Sequence, residues 1–298
     1  MANRAVAMTM LLVLMIVWGT TYISTKSVIQ ETTPIVLAFL RFLCASALLV
    51  PLAVLRGGLK ALPRPIPWGT LVTMSVCGYV IYFVAFNYAM VYTSAVQGSL
   101  IQALIPAAVA TAAALFLRER PSARRLLGIA LSLVGVVLVI VYGTADTNAR
   151  NPLLGGILML STVLAWALYT VLAKRVANAD QIVVTAFNMA LAAVLMIPLV
   201  LMELHGHLLP LLSVGSWLNV VYLGLVASGG AFLVYNLALR DLEASAVGVW
   251  MNLVPIVGMV TAVLFLGESL NAWQIVGAAV ALVGMWLSSR LSRADRLR

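Results

Sequence analysis

The sequence predicts an all-α polytopic membrane protein: ten transmembrane helices arranged as two five-helix repeats of inverted topology. Three observations carry that expectation. The 298 residues are 63% hydrophobic and 9% charged, with a mean hydropathy of +1.09, against about 25% charged residues in an ordinary soluble domain. Apolar runs of the roughly 20 residues needed to cross a hydrocarbon core occupy 6–29, 34–55, 68–91, 94–117, 124–143, 153–176, 181–202, 217–239, 244–266 and 272–290. Finally, the second half of the chain repeats the first.

The runs are unbroken, whereas a transmembrane β-strand alternates apolar and polar positions over about ten residues. The first run ends at Thr25 and Lys26 without the small-residue cleavage pattern of a secretory signal, so it reads as helix 1. The net charge of +9 does not point to nucleic acid, because the basic residues sit in short connecting loops, where they report orientation. With a cytoplasmic N-terminus, fifteen of the eighteen Lys and Arg residues face the cytoplasm: Arg4, Arg56, Lys60, Arg64, Arg118, Arg120, Arg124, Arg125, Lys174, Arg175, Arg240, Arg290, Arg293, Arg296 and Arg298. Only Lys26 and Arg150 then lie on the far side, and Arg41 falls within helix 2. Both termini are therefore expected in the cytoplasm. Cys44 and Cys77 lie inside apolar runs, where a thiol acts as a small hydrophobe.

Shifting the chain by about 149 residues brings Asn87 and Ala89 onto Asn236 and Ala238, and Leu104 and Pro106 onto Leu253 and Pro255. Leu115, Phe116, Leu117 and Glu119 fall on Leu264, Phe265, Leu266 and Glu268. Gly128, Leu133, Val134 and Gly135 fall on Gly277, Leu282, Val283 and Gly284. With slippage of one or two residues, Trp18, Lys26 and Pro51 match Trp166, Lys174 and Pro198. The expected halves are residues 1–148 and 149–298. Five helices per half is an odd number, so the second copy enters the membrane from the opposite side. Inverted repeats of this kind build alternating-access carriers, with the substrate near the midplane between the halves.

Ten helices in two repeats, the early motif WGTTYISTK at 18–26, and two blocks, Pro106 followed by LFLRER and Pro255 followed by LFLGES, resemble the drug/metabolite transporter superfamily, EamA type. The resemblance covers the whole chain. It implies a bacterial inner-membrane transporter, commonly an exporter of amino acids or related metabolites, and it does not fix the substrate.

Pro106 and Pro255 fall in the middle of runs 4 and 9, where each removes a backbone hydrogen bond and frees the carbonyls of Gln102 and Met251. They serve either as packing kinks or as hinges beside a polar midplane site, and Gln102 and Asn252 place amides next to them. Asn87, Asn236, Asn188 and Gln97 are further amides at membrane depth; for Asn87 and Asn236 the simpler role is an interhelical hydrogen bond, worth about 0.6 kcal/mol on average. Trp18, Tyr79, Tyr82, Trp166, Tyr169 and Trp250 lie deep in their runs rather than at the interfaces that Trp and Tyr prefer. As a group with Gln102 and Asn252 they are the candidate substrate-binding residues, able to hold a cation or an apolar side chain.

Arg41, about seven residues inside the outer end of run 2, is expected to snorkel partway and to join Lys26 and Glu31 in an outer cluster, or to attract anionic groups. Glu119 and Glu268 are expected to cap or pin helix ends. Small residues at Gly128, Ser132 and Gly135 on helix 5, and at Gly277, Ala281 and Gly284 on helix 10, suit close packing within the chain or a homo-oligomer contact.

No Walker-type loop, HExxH motif or His/Cys cluster with ligand spacing occurs, and His205 and His207 form a lone HxH in a loop. No cofactor, metal or enzymatic activity is expected. Every acidic residue lies at a helix end, in a loop or in the tail, and proton-driven carriers generally relay through an intramembrane carboxylate or histidine. Facilitated uniport of a small zwitterion is the expected mode, with export of cationic drugs or other metabolites as the alternative and a non-transporting membrane sensor or intramembrane enzyme as the different class.

Overall fold

In hydrocarbon every backbone N–H and C=O must be satisfied inside the protein, and the described part of this chain does so with helix alone. The structure, a computed structural model, describes residues 4–117, 123–142, 151–204, 211–242, 244–251 and 253–289. The helices are α1 (Arg4–Val28), α2 (Pro34–Leu55), α3 (Trp68–Tyr92), α4 (Ala95–Phe116), α5 (Ala123–Tyr142), α6 (Pro152–Arg175), α7 (Gln181–Leu204), α8 (Val214–Arg240), α9 in two segments (Ala244–Trp250 and Leu253–Leu266) and α10 (Ala272–Ser289). Among the described residues seven of them, α1 to α4 and α6 to α8, are long and apolar enough to cross a membrane. Large apolar side chains such as Leu55, Leu115, Met202 and Phe265 are exposed, as a surface bathed in lipid tails requires.

Polar residues set the helix starts. Thr33, Ser94, Asn151 and Ser213 each accept a backbone N–H of the first turn, satisfying a donor with no intrahelical partner. Ser213 starts α8 at Val214, three residues before the apolar run does. Asn271 and Gln274 exchange side-chain bonds with each other's N–H at 2.7 and 3.0 Å, a capping box that opens α10.

Contacts at the helix ends sort into two faces. On one, Arg56 beyond α2 faces Asp180 before α7 at 3.9 Å, and Lys174 near the end of α6 donates to the carbonyls of Leu239 and Leu242 at 2.7 and 2.8 Å. On the other, the Asn151 N–H before α6 donates to Tyr92 at the end of α3, and Thr33 donates to Glu203 at the end of α7. Glu31, beyond α1, accepts the N–H and hydroxyl of Ser213. Those bonds hold its carboxyl below the usual range, so the tie persists at neutral pH and is lost only as pH falls through that lowered value. Successive helices thus run back and forth between two faces.

The halves interleave. α1 packs on α9 and α6 on α4; α2 pairs with α7, and α5 with α10. The small-residue stripes of α5 and α10 therefore meet each other inside one chain: a Cβ added at Gly135 would lie 2.4 Å from Ala281 N and 2.5 Å from Gly277 O. The stripe is not left free for a second copy.

Runs 4 and 9 are not continuous helices, contrary to the expectation of a proline within an unbroken run. α4 breaks after Gln102; Ala103 and Leu104 make tighter bonds to Leu100 and Ile101, and Pro106 sits in the first turn of the second segment, where its missing N–H is no loss. α9 breaks after Trp250, with Pro255 near the start of its second segment. Two helices also widen into π-turns, α3 over Val76–Ile81 and α8 over Tyr222–Gly230.

Gly135→Ala should lower the thermal midpoint of the detergent-solubilised protein, because overpacking costs roughly 1–3 kcal/mol. Gly69→Ala, with nothing within 4 Å of the new Cβ, should leave it unchanged or slightly raised.

Candidate functional site

Rings deep in the helices and an amide beside a helix break converge at the centre of the bundle. Trp18 of α1 and Trp166 of α6, which the repeat pairs, meet edge to face with centroids 5.2 Å apart. Tyr82 and Phe232 stand 5.3 and 5.4 Å from Trp166. Among them lies a cavity of about 30 Å³, lined by Trp18, Thr21, Tyr22, Arg41, Tyr82, Phe83, Phe86 and Gln102 from the first half and by Trp166, Phe232, Met251 and Val254 from the second. A water needs about 10–15 Å³ on this measure, so there is room for one or two waters and the arrangement is occluded. A larger groove of about 740 Å³ between α1 and α8 is almost wholly apolar, with Met10, Val13 and Val226 exposed along it; it lacks the convergent polar groups of a binding site.

Gln102 organises the polar side. As the last residue before the break in α4, it accepts from the Tyr22 hydroxyl at 2.9 Å and donates to Tyr82 and Thr162 at 3.1 Å each. The π-turn of α8 supplies two further groups: the Ala227 carbonyl accepts Trp18 Nε1 at 3.0 Å, and the Ser228 hydroxyl accepts Arg41 Nε at 2.5 Å. π-turns recur at functional sites because they re-aim side chains and carbonyls.

Of the described residues expected to bind substrate, Trp18, Tyr82, Gln102 and Trp166 share this wall, and Tyr79, Tyr169 and Trp250 do not line it. Tyr79 and Tyr169 stand behind it. Their hydroxyls are 3.2 Å apart, Tyr169 donates to Asn236 at 2.9 Å, and Asn236 donates to Thr185 at 3.1 Å. Gly78 explains the placement: a Cβ there would come within 2.3 Å of the Tyr169 ring, so the ring is clasped in the α3–α6 seam. Trp250 is half-buried at the edge of the core, and its neighbour Met251, in the break, lines the cavity instead. Asn252, Glu119, His205 and His207 lie outside the described residues. Asn87 donates to the Pro34 carbonyl at 2.9 Å and Asn188 accepts from Ser75 at 2.8 Å, so both join helices.

The outer cluster of Arg41, Lys26 and Glu31 does not form. Lys26 pairs with Glu268 at 2.8 Å, Glu31 holds Ser213, and Arg41 is 2% exposed in the cavity wall, with its guanidinium carbon 4.3 Å from the centre of the Phe83 ring. Among the polar residues of the wall, Thr21, Tyr22 and Arg41 are those that sequence reasoning left out of the site. The signal for Arg41 was present, since an ionisable group within an apolar run marks function by default; its depth alone allowed a snorkelling side chain.

Gln102→Leu would strand the buried hydroxyls of Tyr22 and Tyr82, and Tyr169→Phe the amide oxygen of Asn236. Each should cost about 1–3 kcal/mol, read as a lower thermal midpoint. Affinity for a transported solute should change with Gln102→Leu and stay within about twofold in Tyr169→Phe.

Comparison with known proteins agrees with this architecture. The sequence matches the EamA-like transporter family twice, over residues 5–141 and 153–290. An uncharacterized transporter of Archaeoglobus fulgidus is 29% identical over 277 residues, 92% of this chain and 94% of that one. The transporter YyaM of Bacillus subtilis is 27% identical over 289 residues, covering 96% and 94%. A probable amino-acid metabolite efflux pump of Salmonella typhimurium is 25% identical over 286 residues, covering 93% and 92%. A crystal structure superposes with a TM-score of 0.71 over 98% of this chain and 99% of the other, at 22% identity, a likeness of fold. The chain belongs to the EamA-like transporter family and is a multi-pass membrane transporter.

Proposed function

We propose that this protein exports amino acids or similar small metabolites across the bacterial inner membrane by alternating access, as a facilitated uniporter. Ten membrane crossings in two inverted halves, residues 1–148 and 149–298, with both termini in the cytoplasm, form the frame of this reading. It is supported by the back-and-forth helix ends and by the concentration of positive charge on one face. The observation that carries it is the occluded central cavity, whose wall is drawn from both halves and combines aromatic faces with the Gln102 amide. A cavity at the seam of two pseudo-equivalent halves opens to either face when the halves exchange conformations. Relatives named as probable amino-acid metabolite efflux pumps support the substrate class.

The ends of the cavity are tied by matching devices. On one face Lys26 bonds Glu268 and the Thr93 carbonyl, while Glu268 accepts the N–H groups of Ala95 and Val96, so α1, the α3–α4 turn and the α9–α10 turn are held together. On the other face Lys174, the repeat partner of Lys26, holds Leu242, which the 149-residue shift places on Thr93. Releasing one tie at a time opens one face at a time. The described acidic residues stay near helix ends, which leaves no carboxylate relay in the cavity wall and favours uniport.

In liposomes holding the purified protein, solute uptake screened over the amino acids should reveal a transported class; no uptake of any would refute the reading. With substrate equal on both sides, an imposed pH gradient should drive no net accumulation. Glu268→Gln removes the charge that Lys26 pairs with at 2.8 Å. With Cys44 and Cys77 replaced and a reporter cysteine at Val254, this variant should label at least tenfold faster with an impermeant thiol reagent added outside cells.

A further inference from the structure

We propose that Arg41 is the anchor for a carboxylate on the transported solute, so that the cavity accepts amino acids and related carboxylates and rejects organic cations that lack an anionic group. This deepens the transport reading and rests on it. Arginine keeps its charge in proteins and offers five N–H donors in a planar fork. Among the described residues only Nε is hydrogen-bonded, to Ser228. Among the described residues no carboxylate lies within ion-pair distance of Arg41, although the side chain is almost fully buried. A charge placed so deep without a partner is costly, and the remaining edge of the fork belongs to a residue that lines the cavity.

The fold itself does not need that charge. Pro51 and Pro198 relate α2 to α7 by 147 residues, and the same offset carries Arg41 onto Asn188. Arg41 ties α2 to α8 through Ser228, and Asn188 ties α7 to α3 through Ser75 at 2.8 Å. A neutral amide suffices for the equivalent helix contact in one half, so the guanidinium in the other answers to something else. A carboxylate matches its fork with two parallel charge-assisted bonds. Phe83 stacks on one side of the guanidinium, and Tyr82 and Trp166 beyond it present π faces to the rest of the solute, including an ammonium group. A solute carrying only positive charge would meet Arg41 as a like charge in a water-poor cavity.

The test measures entry of L-phenylalanine, L-leucine and L-threonine into liposomes holding the full-length protein, each against its carboxamide, with tetraphenylphosphonium as the cation and protein-free liposomes as background. The wild type should move at least one acid about tenfold or more faster than its amide and should not move tetraphenylphosphonium. Arg41→Gln should lose about ten- to a hundredfold on the acid, the size of a lost hydrogen bond to a charged group, and bring the acid-to-amide ratio close to one. Arg41→Lys, a point charge without the fork, should fall between. Equal rates for acid and amide in the wild type would overturn the proposal without any variant having to fold. An Arg41→Gln protein that slows acid and amide alike, keeping their ratio, would overturn it as well, since a purely structural arginine behaves that way. Transport of tetraphenylphosphonium but of no acid would leave the protein a transporter and refute the carboxylate anchor. Failure to move any probe would refute amino-acid transport and the anchor with it.

Discussion

A helix in hydrocarbon cannot leave a backbone N–H or C=O unsatisfied, and this constraint organises the whole protein. It makes helix the backbone form of the membrane-crossing segments. Among the described residues four departures from regular helix occur within them: the breaks in α4 and α9 and the π-turns in α3 and α8. All of them surround the central cavity or the seam just behind it. The Ala227 carbonyl goes to Trp18, Ser228 holds Arg41, and Gln102 at the end of a broken segment gathers Tyr22, Tyr82 and Thr162. Irregular backbone is thus concentrated where polar groups are useful.

Close packing of the repeats decides what stays rigid. Helices α5 and α10 approach through Gly135, Gly277 and Ala281, while α1 lies against α9 with Gly258 in contact with Tyr22 and Ser99. At such approaches there is no slack to absorb motion, because protein interiors are filled at the density of organic crystals. The polar ties at the helix ends are different in kind. Lys26 with Glu268, and Lys174 with the Leu239 and Leu242 carbonyls, are a few bonds at the margins of the bundle, reachable by water from one face each.

The same symmetry makes its exceptions informative. Trp18 with Trp166, Lys26 with Lys174 and Pro106 with Pro255 are matched in residue type. Arg41 and Asn188 are matched in place and differ in charge. One half of the repeat keeps a neutral amide here and the other a guanidinium, and that difference is the ground for the proposed carboxylate anchor.

Several features were determined by the sequence alone. Helix positions followed from the run length that a hydrocarbon core demands, and they shifted by only a few residues once Ser213 capped α8. The twofold repeat followed from ordered Trp, Lys, Pro, Asn and Gly matches, and four of the eight residues expected to bind substrate, Trp18, Tyr82, Gln102 and Trp166, share one cavity wall. Other features waited on tertiary structure, because depth along a helix axis is legible in sequence whereas rotation about that axis is set by the neighbours. Gly78 turned Tyr169 into a seam, the break after Trp250 aimed Met251 inward in its place, and Ser228 with Phe83 drew Arg41 away from the membrane surface and into the cavity. A one-dimensional pattern records how far each side chain lies from the helix end. Only the packing of one helix against another decides which side chains face the same space.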